Sequence, residues 1–277
     1  MNYFEVFPGS SILVRDKIPP SSILVLGPPG IGKTIFSKQF IVNGVLEEDK
    51  CIYVSTDESP VDFINSFDMF GVKEQIGEKC NLVDCYSWKI GRSLTEAYPR
   101  DHNELANISK CIETLHKSDG KIRFVLDSVT GLTSTNDGSL ALKFVQVLSG
   151  RVKSLGGIGI FIVTANAHDE AFLYNLRRSL DGTIEMRAQE TKAEITRLIR
   201  IFSLRGTRHR TIWTPFEITD EGITVKTDTA LRCVLCSKPI NWEPYEEEID
   251  GKKYIFDKEE CAEEYKKFKA IYGKYFE

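Results

Sequence analysis

The chain contains 277 residues, 42% hydrophobic and 27% charged, and its 36 Lys and Arg against 40 Asp and Glu give a net charge of -4. These proportions are typical of an ordinary soluble protein with one large domain, or a large and a small one. The acidic balance excludes a global positive field, so binding to nucleic acid or an anionic membrane would need a local basic patch. No apolar run approaches the roughly 18 residues of a membrane span, and the first residues lack a basic flank before an apolar core, so we expect a cytoplasmic protein.

Seven cysteines are present, and their odd number and uneven spacing predict reduced thiols. Four lie in apolar or half-apolar stretches and are predicted to be small buried hydrophobes: Cys51, Cys80, Cys85 and Cys111. The other three lie close to the end of the chain and are considered below.

Apolar strand-like segments alternate with helical patterns in the first part of the chain. They are Ile23–Leu26 with a helix from Lys33, Ile52–Ser55 with one from Val61, Phe124–Leu126 with one around Leu140–Leu155, and a fourth strand at Ile158–Thr164. Strands that are apolar on both faces and lead into helices specify a mostly parallel sheet covered by helices. The predicted fold class is therefore α/β.

Beyond Arg178 the pattern changes to shorter extended segments. We predict antiparallel additions at a sheet edge for Thr183–Met186, Thr196–Leu204 and Ile223–Val225. Thr227–Leu231 is predicted to link this core to a small tail module. The expected domains are residues 1–228 and 229–277.

The strongest chemical signal is a G-x-x-x-x-G-K-[ST] segment placed between a predicted strand and a predicted helix. Backbone N–H groups of such a loop surround phosphates, the lysine reaches the β- and γ-phosphates, and the hydroxyl binds Mg²⁺. This predicts a nucleoside triphosphate site. The residues predicted to form it are Gly27, Pro28, Pro29, Gly30, Ile31, Gly32, Lys33, Thr34 and Ile35.

Carboxylates end two other predicted strands. Asp127 follows Phe124–Leu126 and is the candidate for holding Mg²⁺ together with Thr34; the alternative is an Asp that caps the next turn. Asp57 and Glu58 follow Ile52–Ser55, and neighbouring residues of an extended segment point in opposite directions, so one of them is expected to face the γ-phosphate. We choose Glu58 as the group that activates water, although the pair could instead supply negative charge at a helix N-terminus.

These motifs together resemble the KaiC-like branch of the RecA superfamily, over about residues 1–226. The resemblance is carried by the order and spacing of Gly27–Thr34, Val54–Pro60, Leu126–Leu132, Leu204–His209 and Pro215–Ile223. It implies a RecA-like ATPase domain that uses ATP and Mg²⁺ and assembles into rings or filaments with nucleotide between neighbours. It also implies that Asp57 and Glu58 are the family's catalytic carboxylates, the second being the usual water activator.

One departure concerns the Lys-x-Arg that such proteins insert into the neighbour's site, which here is Ser203-Leu204-Arg205. Losing one of two cations that stabilise charge on the transferring phosphoryl group threatens turnover more than binding. Arg205 is a candidate arginine finger, which one subunit inserts into the nucleotide site of its neighbour. Alternatively, it holds a carboxylate at a subunit contact. A cation in the following run, Arg208-His209-Arg210, is a candidate substitute for the missing lysine.

The loop after the fourth strand contains two candidate γ-phosphate sensors, Asn166 and His168, whose alternative role is to satisfy backbone groups. Arg177 and Arg178 lie where DNA-threading relatives contact the strand. Nearby acidic residues make this a weak basic patch, and a solvated surface is the alternative.

The tail contains Cys233-Val234-Leu235-Cys236, a C-x-x-C knuckle that can bind one Zn²⁺. With Asp257 and Cys261 it is similar to treble-clef modules of the TRASH type, although Asp257 stands where the third cysteine is expected. Three outcomes remain open: Zn²⁺ bound by Cys233, Cys236, Asp257 and Cys261; Zn²⁺ bound by three thiolates and another ligand or water; or a metal-free module packed by Trp242, Tyr254 and Phe256. A terminal helix is predicted at Glu263–Phe276.

The sequence thus predicts a RecA-like ATPase of the KaiC type that is regulatory or drives assembly, forms homo-oligomers and recognises a protein partner. The alternatives are a DNA-recombination accessory factor and an ATP sensor with negligible turnover.

Overall fold

A nine-stranded sheet forms the centre of the computed structural model, which describes residues 4, 13–14, 18–87, 120–134, 136–190, 195–225, 232–238, 240 and 244–272. Its strands lie in the order β3-β2-β4-β5-β1-β6-β7-β8-β9. They are β1 (Ser22–Gly27), β2 (Lys50–Ser55), β3 (Cys80–Asp84), β4 (Ile122–Asp127), β5 (Ile158–Thr164), β6 (Gly182–Glu190), β7 (Ile195–Leu204), β8 (Thr214–Thr219) and β9 (Gly222–Val225).

Helices cover both faces of the sheet, which confirms the predicted α/β class. They are α1 (Lys33–Leu46), α2 (Pro60–Asn65), α3 (Lys73–Lys79), α4 (Val129–Thr133), α5 (Gly138–Ser154) and α6 (Glu170–Ser179), with a 3₁₀ turn at Ser66–Phe70. Successive residues of β1 point to opposite faces: Ile23 and Val25 join the apolar cluster under α1, while Leu24 and Leu26 join the one under α5. All six residues of β1 are therefore buried, as predicted for a strand covered on both sides.

Thr183–Met186 was predicted to be an antiparallel strand at the sheet edge, and this prediction was wrong for its pairing with the core strand β1. β6 pairs in parallel with β1 and antiparallel only with β7. The reason is α6, which returns the chain to the starting edge of the sheet after β5 and so makes β6 run the same way as β1. β7 and β9 are antiparallel, as predicted, and β8, which was not predicted as a strand, pairs antiparallel with both of them.

Three cysteines predicted to be buried, Cys51, Cys80 and Cys85, are free and buried, whereas Cys111 lies outside the described residues. The strand that contains Cys80 was missed, because its five residues are only partly apolar. None of the helices in the described part of the chain is long and apolar enough to cross a membrane.

The tail contains a hairpin of β10 (Tyr245–Ile249) and β11 (Lys252–Phe256), followed by α7 (Glu259–Tyr272). The predicted terminal helix is confirmed as far as Tyr272, and it begins before the predicted Glu263. A separate small apolar cluster joins these elements: Cys233, Ile240, Phe256, Cys261 and Ala262. The predicted linker Thr227–Leu231 and the packing residue Trp242 lie outside the described residues.

Candidate functional site

The loop between β1 and α1 carries the predicted phosphate-binding segment. Gly30 and Gly32 have backbone φ angles of 73° and 114°, which residues other than glycine rarely adopt. These angles allow the chain to turn tightly into α1. Lys33 Nζ donates to the carbonyl oxygens of Gly27 and Pro28, each at 2.8 Å, and burial lowers its pKa. A phosphate entering the loop would offer this ammonium group stronger, charged acceptors than these carbonyls.

The apolar residues of the loop anchor it. Ile31 is buried in the apolar cluster under α1, and Ile35 packs against that cluster. Pro29 is exposed at the tip of the loop and Pro28 is half-buried. The side chains of Ile31 and Ile35 therefore fix the position of the loop, and its backbone N–H groups are left as the phosphate-binding part.

Thr34 and Asp127 meet at the carboxyl edge of the sheet. Asp127 ends β4 and is buried, which raises its pKa, while hydrogen bonds from the Tyr53 and Thr34 hydroxyls act in the opposite direction. Tyr53 Oη donates to Asp127 Oδ2 at 2.7 Å and lies 3.0 Å from Ser37 Oγ. A hydroxyl and a carboxylate are the hard oxygen donors that Mg²⁺ prefers, so these residues fit that ion.

Tyr53 was missed as a site residue. Burial and the nearby Asp127 raise its pKa well above the ordinary value, so it remains a neutral hydrogen-bond donor to the carboxylate. The available signal was a tyrosine hydroxyl within an otherwise apolar buried strand, because a buried phenol requires a polar partner.

Asp57 and Glu58 follow β2 and contact different partners. Asp57 Oδ2 accepts a hydrogen bond from Ser128 Oγ at 2.8 Å. Both carboxylate oxygens of Glu58 accept from Lys38 Nζ, at 2.9 and 2.6 Å. Ser55 Oγ fixes the backbone of Glu58 by donating to its carbonyl oxygen at 2.8 Å. The two carboxylates therefore contact different partners, although they lie in a bend beyond the end of β2 and not in an extended segment.

The loop after β5 places the two candidate sensors differently. His168 Nε2 lies 3.0 Å from Thr130 Oγ1, its ring stacks on Phe172 at 4.5 Å, and burial lowers its pKa. His168 therefore contacts a side chain here and not the backbone groups of the alternative role, and γ-phosphate sensing stays a prediction. Asn166 is exposed, with φ of 64°, and the preceding Ala165 donates its N–H to Gly27 O in the phosphate loop at 2.9 Å.

Arg205 lies at the opposite edge of the sheet from the phosphate loop of its own chain. It follows Leu204, which pairs with Gly182, and Gly182 pairs with Ile23 at the start of β1. The loop follows the other end of β1, roughly 17 Å away at about 3.3 Å per residue. Arg205 is 70% exposed, and its guanidinium lies 3.9 Å from Asp181. Arg205 is therefore remote from the phosphate loop of its own chain.

The other candidate cations lie near Arg205 or on α6. Arg208 is exposed, His209 Nδ1 lies 2.9 Å from Thr207 O, and Arg210 is half-buried. Arg177 donates to Glu185 Oε1 at 2.7 Å, and Arg200 donates to the other carboxylate oxygen of the same residue at 2.8 and 2.6 Å. One carboxylate therefore lies between two guanidinium groups, and Arg178 lies beside Arg177 in the sequence at an exposed position of α6.

Three tail cysteines converge. The sulfur atoms of Cys233, Cys236 and Cys261 lie within 4.8 Å of one another. The carboxylate of Asp257 does not belong to this group; the backbone N–H of Asp257 points at Cys233 instead. Burial acts to raise the pKa of Cys233, but backbone N–H groups of Cys236, Asp257 and Leu235 bring it down to about 7.

The fold and this site define a class. A phosphate loop after β1, a buried carboxylate at the end of β4, and β5 inserted between those two strands characterise a P-loop ATPase with a RecA-like core. Within that class, the chain belongs to the KaiC ATPase family, whose profile matches residues 13–230.

The relatives and a solved structure agree with this assignment. The chain is 32% identical to a UPF0273 protein of Thermotoga maritima, over 79% of this chain and 93% of the relative. It is 29% identical to a UPF0273 protein of Saccharolobus solfataricus, over 92% of this chain and 94% of the relative. The crystal structure of a KaiC-like protein from Pyrococcus horikoshii superimposes with a TM-score of 0.64 at 22% identity, covering 81% of this chain and 99% of that one, which shows the shared fold.

Proposed function

We propose that this chain binds ATP with Mg²⁺ and hydrolyses it slowly, as a regulatory or assembly ATPase whose nucleotide sites lie between neighbouring copies. The supporting observation is the convergence of Lys33, the Thr34–Asp127 pair and Glu58 at one edge of adjacent strands. Membership of an ATPase family supports the nucleotide and the ion.

Each residue has a distinct role in this proposal. Lys33 binds the β- and γ-phosphates, and Thr34 and Asp127 would hold Mg²⁺, which neutralises charge on the phosphate oxygens when bound. Glu58 accepts a proton from water while the water oxygen bonds to the γ-phosphorus and the bond to the bridging oxygen of ADP breaks. Asp57, held by Ser128, supports the loop that carries Glu58.

Arg205 is proposed to act on a neighbouring copy. Its exposure and its place at the far edge of its own sheet leave it available to stabilise γ-phosphate charge in another subunit. With Ser203 in place of a second cation, the proposal is for slow turnover.

Two variants test the site. Lys33→Ala should remove most ATP affinity in calorimetry while the fold is retained, because it deletes the cation fixed by the loop. Glu58→Gln should keep ATP affinity and abolish phosphate release, because it removes the proton acceptor and no phosphate contact. Glu78→Gln, an exposed acid on α3, is the control and should behave as the wild type. Unchanged affinity in Lys33→Ala, or unchanged turnover in Glu58→Gln, would contradict the assignment.

We also propose a division into an ATPase domain of residues 1–228 and a zinc module of residues 229–277. Three sulfur ligands within 4.8 Å favour Zn²⁺ over harder cations, and Zn²⁺ would add folding free energy to a small apolar cluster. The position of Asp257 favours another ligand or water in the fourth place. Asp257→Ala should accordingly retain the metal in elemental analysis, and loss of zinc would restore its carboxylate as a ligand.

A further inference from the structure

Lys38 is a buried cation that contacts the proposed water-activating carboxylate. It follows Thr34 by about one turn of α1, so the two side chains share a helix face. The Lys38 side chain is 5% exposed, and its Nζ donates to both oxygens of Glu58. The ammonium group also lies 5.5 Å from the Phe63 ring centre and 5.8 Å from that of Phe67.

Three elements hold this ammonium group in one place: α1 carries it, the loop after β2 supplies the carboxylate, and α2 with the following 3₁₀ turn supplies the rings. A buried charge requires compensation, and separating it from its partner is strongly unfavourable. If Glu58 moved away, Lys38 would face the two phenylalanine rings without its carboxylate. The pair is therefore expected to stay together while Glu58 acts.

The pairing leaves Glu58 able to accept a proton. Each carboxylate oxygen has two acceptor positions, and Lys38 occupies one on each oxygen. Water can use a remaining position, and the exposed fraction of Glu58, 27%, shows that the carboxylate is not closed off from solvent.

We propose that Lys38 is a positioning residue for hydrolysis, which fixes the carboxylate of Glu58 in place. The inference rests on the proposed role of Glu58 as the proton acceptor. Lys38 acts through Glu58 and is assigned no contact with ATP.

Lys38→Met tests this role, because methionine is similar in length and uncharged. We expect kcat to fall about tenfold or more, since general-base catalysis contributes on the order of 10²–10⁴ and depends on placement. KM for ATP should change little. Lys38→Arg keeps the cation and should recover part of kcat, and Lys143→Met, at an exposed position of α5, is the matched control.

The split between kcat and KM separates positioning from a purely structural role. Poor folding would lower the active fraction in Lys38→Met and Lys38→Arg alike, whereas positioning requires that the cation retained in Lys38→Arg restore part of kcat at an unchanged KM for ATP.

The outcomes distinguish this inference from the proposed function. A wild-type protein that binds ATP without releasing phosphate would overturn both. A wild-type protein that hydrolyses ATP, with Lys38→Met equally fast or faster, would overturn the role of Lys38 alone. If Lys38→Met folds poorly, thermal melts decide: Glu58→Gln should lower the melting temperature less in the Lys38→Met background than in the wild type, and additive effects would contradict the pairing.

Discussion

Replacing Tyr53 by phenylalanine removes one oxygen from the centre of the site. That oxygen donates to Asp127 Oδ2 at 2.7 Å, and Tyr53 is 1% exposed, so bulk water cannot take its place. A hydrogen bond to a charged group contributes about 1.5–3 kcal/mol, and we expect Tyr53→Phe to lower the free energy of unfolding by about 2 kcal/mol. At about 2–4 °C per kcal/mol for a large domain, the melting temperature should fall by about 4–8 °C.

The loss of stability in Tyr53→Phe should change with pH in a defined direction. Burial raises the pKa of Asp127 in the folded state, so the ionised carboxylate costs stability at neutral pH, and this cost shrinks as the pH falls below the folded-state pKa and is gone below the unfolded-state pKa. Removing the Tyr53 donor raises that pKa further and increases the cost of the ionised form. The difference between Tyr53→Phe and the wild type should therefore be largest at neutral pH and shrink on acidification.

Urea unfolding of both proteins at neutral and mildly acidic pH measures this difference. Tyr174→Phe is the control, because Tyr174 is 66% exposed on α6. A loss in Tyr53→Phe no larger than that of the control, or one that grows on acidification, would refute the hydrogen bond to an ionised Asp127.

Three further outcomes are expected. Arg123→Met should cost about 3–5 kcal/mol in urea unfolding, because Arg123 is fully buried and its Nε bonds Asp49 at 2.7 Å; a cost below 1 kcal/mol would contradict this account. Gly131→Ala should reduce kcat, because its Cβ would lie 2.1 Å from Thr56 Oγ1 and displace the loop that leads to the proposed catalytic carboxylates; an unaltered kcat would contradict this expectation. Cys261→Ser should lower bound zinc from about one per chain and loosen the remainder against EDTA, while ATP affinity is kept; unchanged zinc content would exclude this thiolate as a ligand.

The sequence predicted the parts of the site that depend on short segments. The phosphate loop is contiguous, and the four predicted core strands are apolar runs whose burial follows from covering helices on both sides. Lys38 and Tyr53 were missed because their roles arise from packing: α1 lies beside the loop that follows β2, and β2 lies beside β4. The spacing of residues along the chain does not reveal these contacts.

The direction of β6 and the side of Asp257 that faces the cysteines both depend on features that the sequence pattern does not contain. The direction of β6 is set by where α6 delivers the chain, which the pattern of Thr183–Met186 does not reveal. Asp257 occupies the expected ligand position in the sequence, but the turn after β11 directs its N–H, and not its carboxylate, to Cys233. The number of residues between two candidate ligands does not determine the geometry of the turn between them. It also does not determine which atoms of a residue face the site.

A mixing experiment tests most directly whether ATP is hydrolysed between copies of this chain. Lys33→Ala subunits lack the phosphate-binding cation but keep Arg205, while Arg205→Ala subunits lack the finger but keep the phosphate loop. If Arg205 acts in trans, each variant alone should be inactive, and mixed oligomers should recover hydrolysis at interfaces that join an intact loop to an intact Arg205. Mixed oligomers, demonstrated by differential labelling, that release no more phosphate than either variant alone would contradict the shared site.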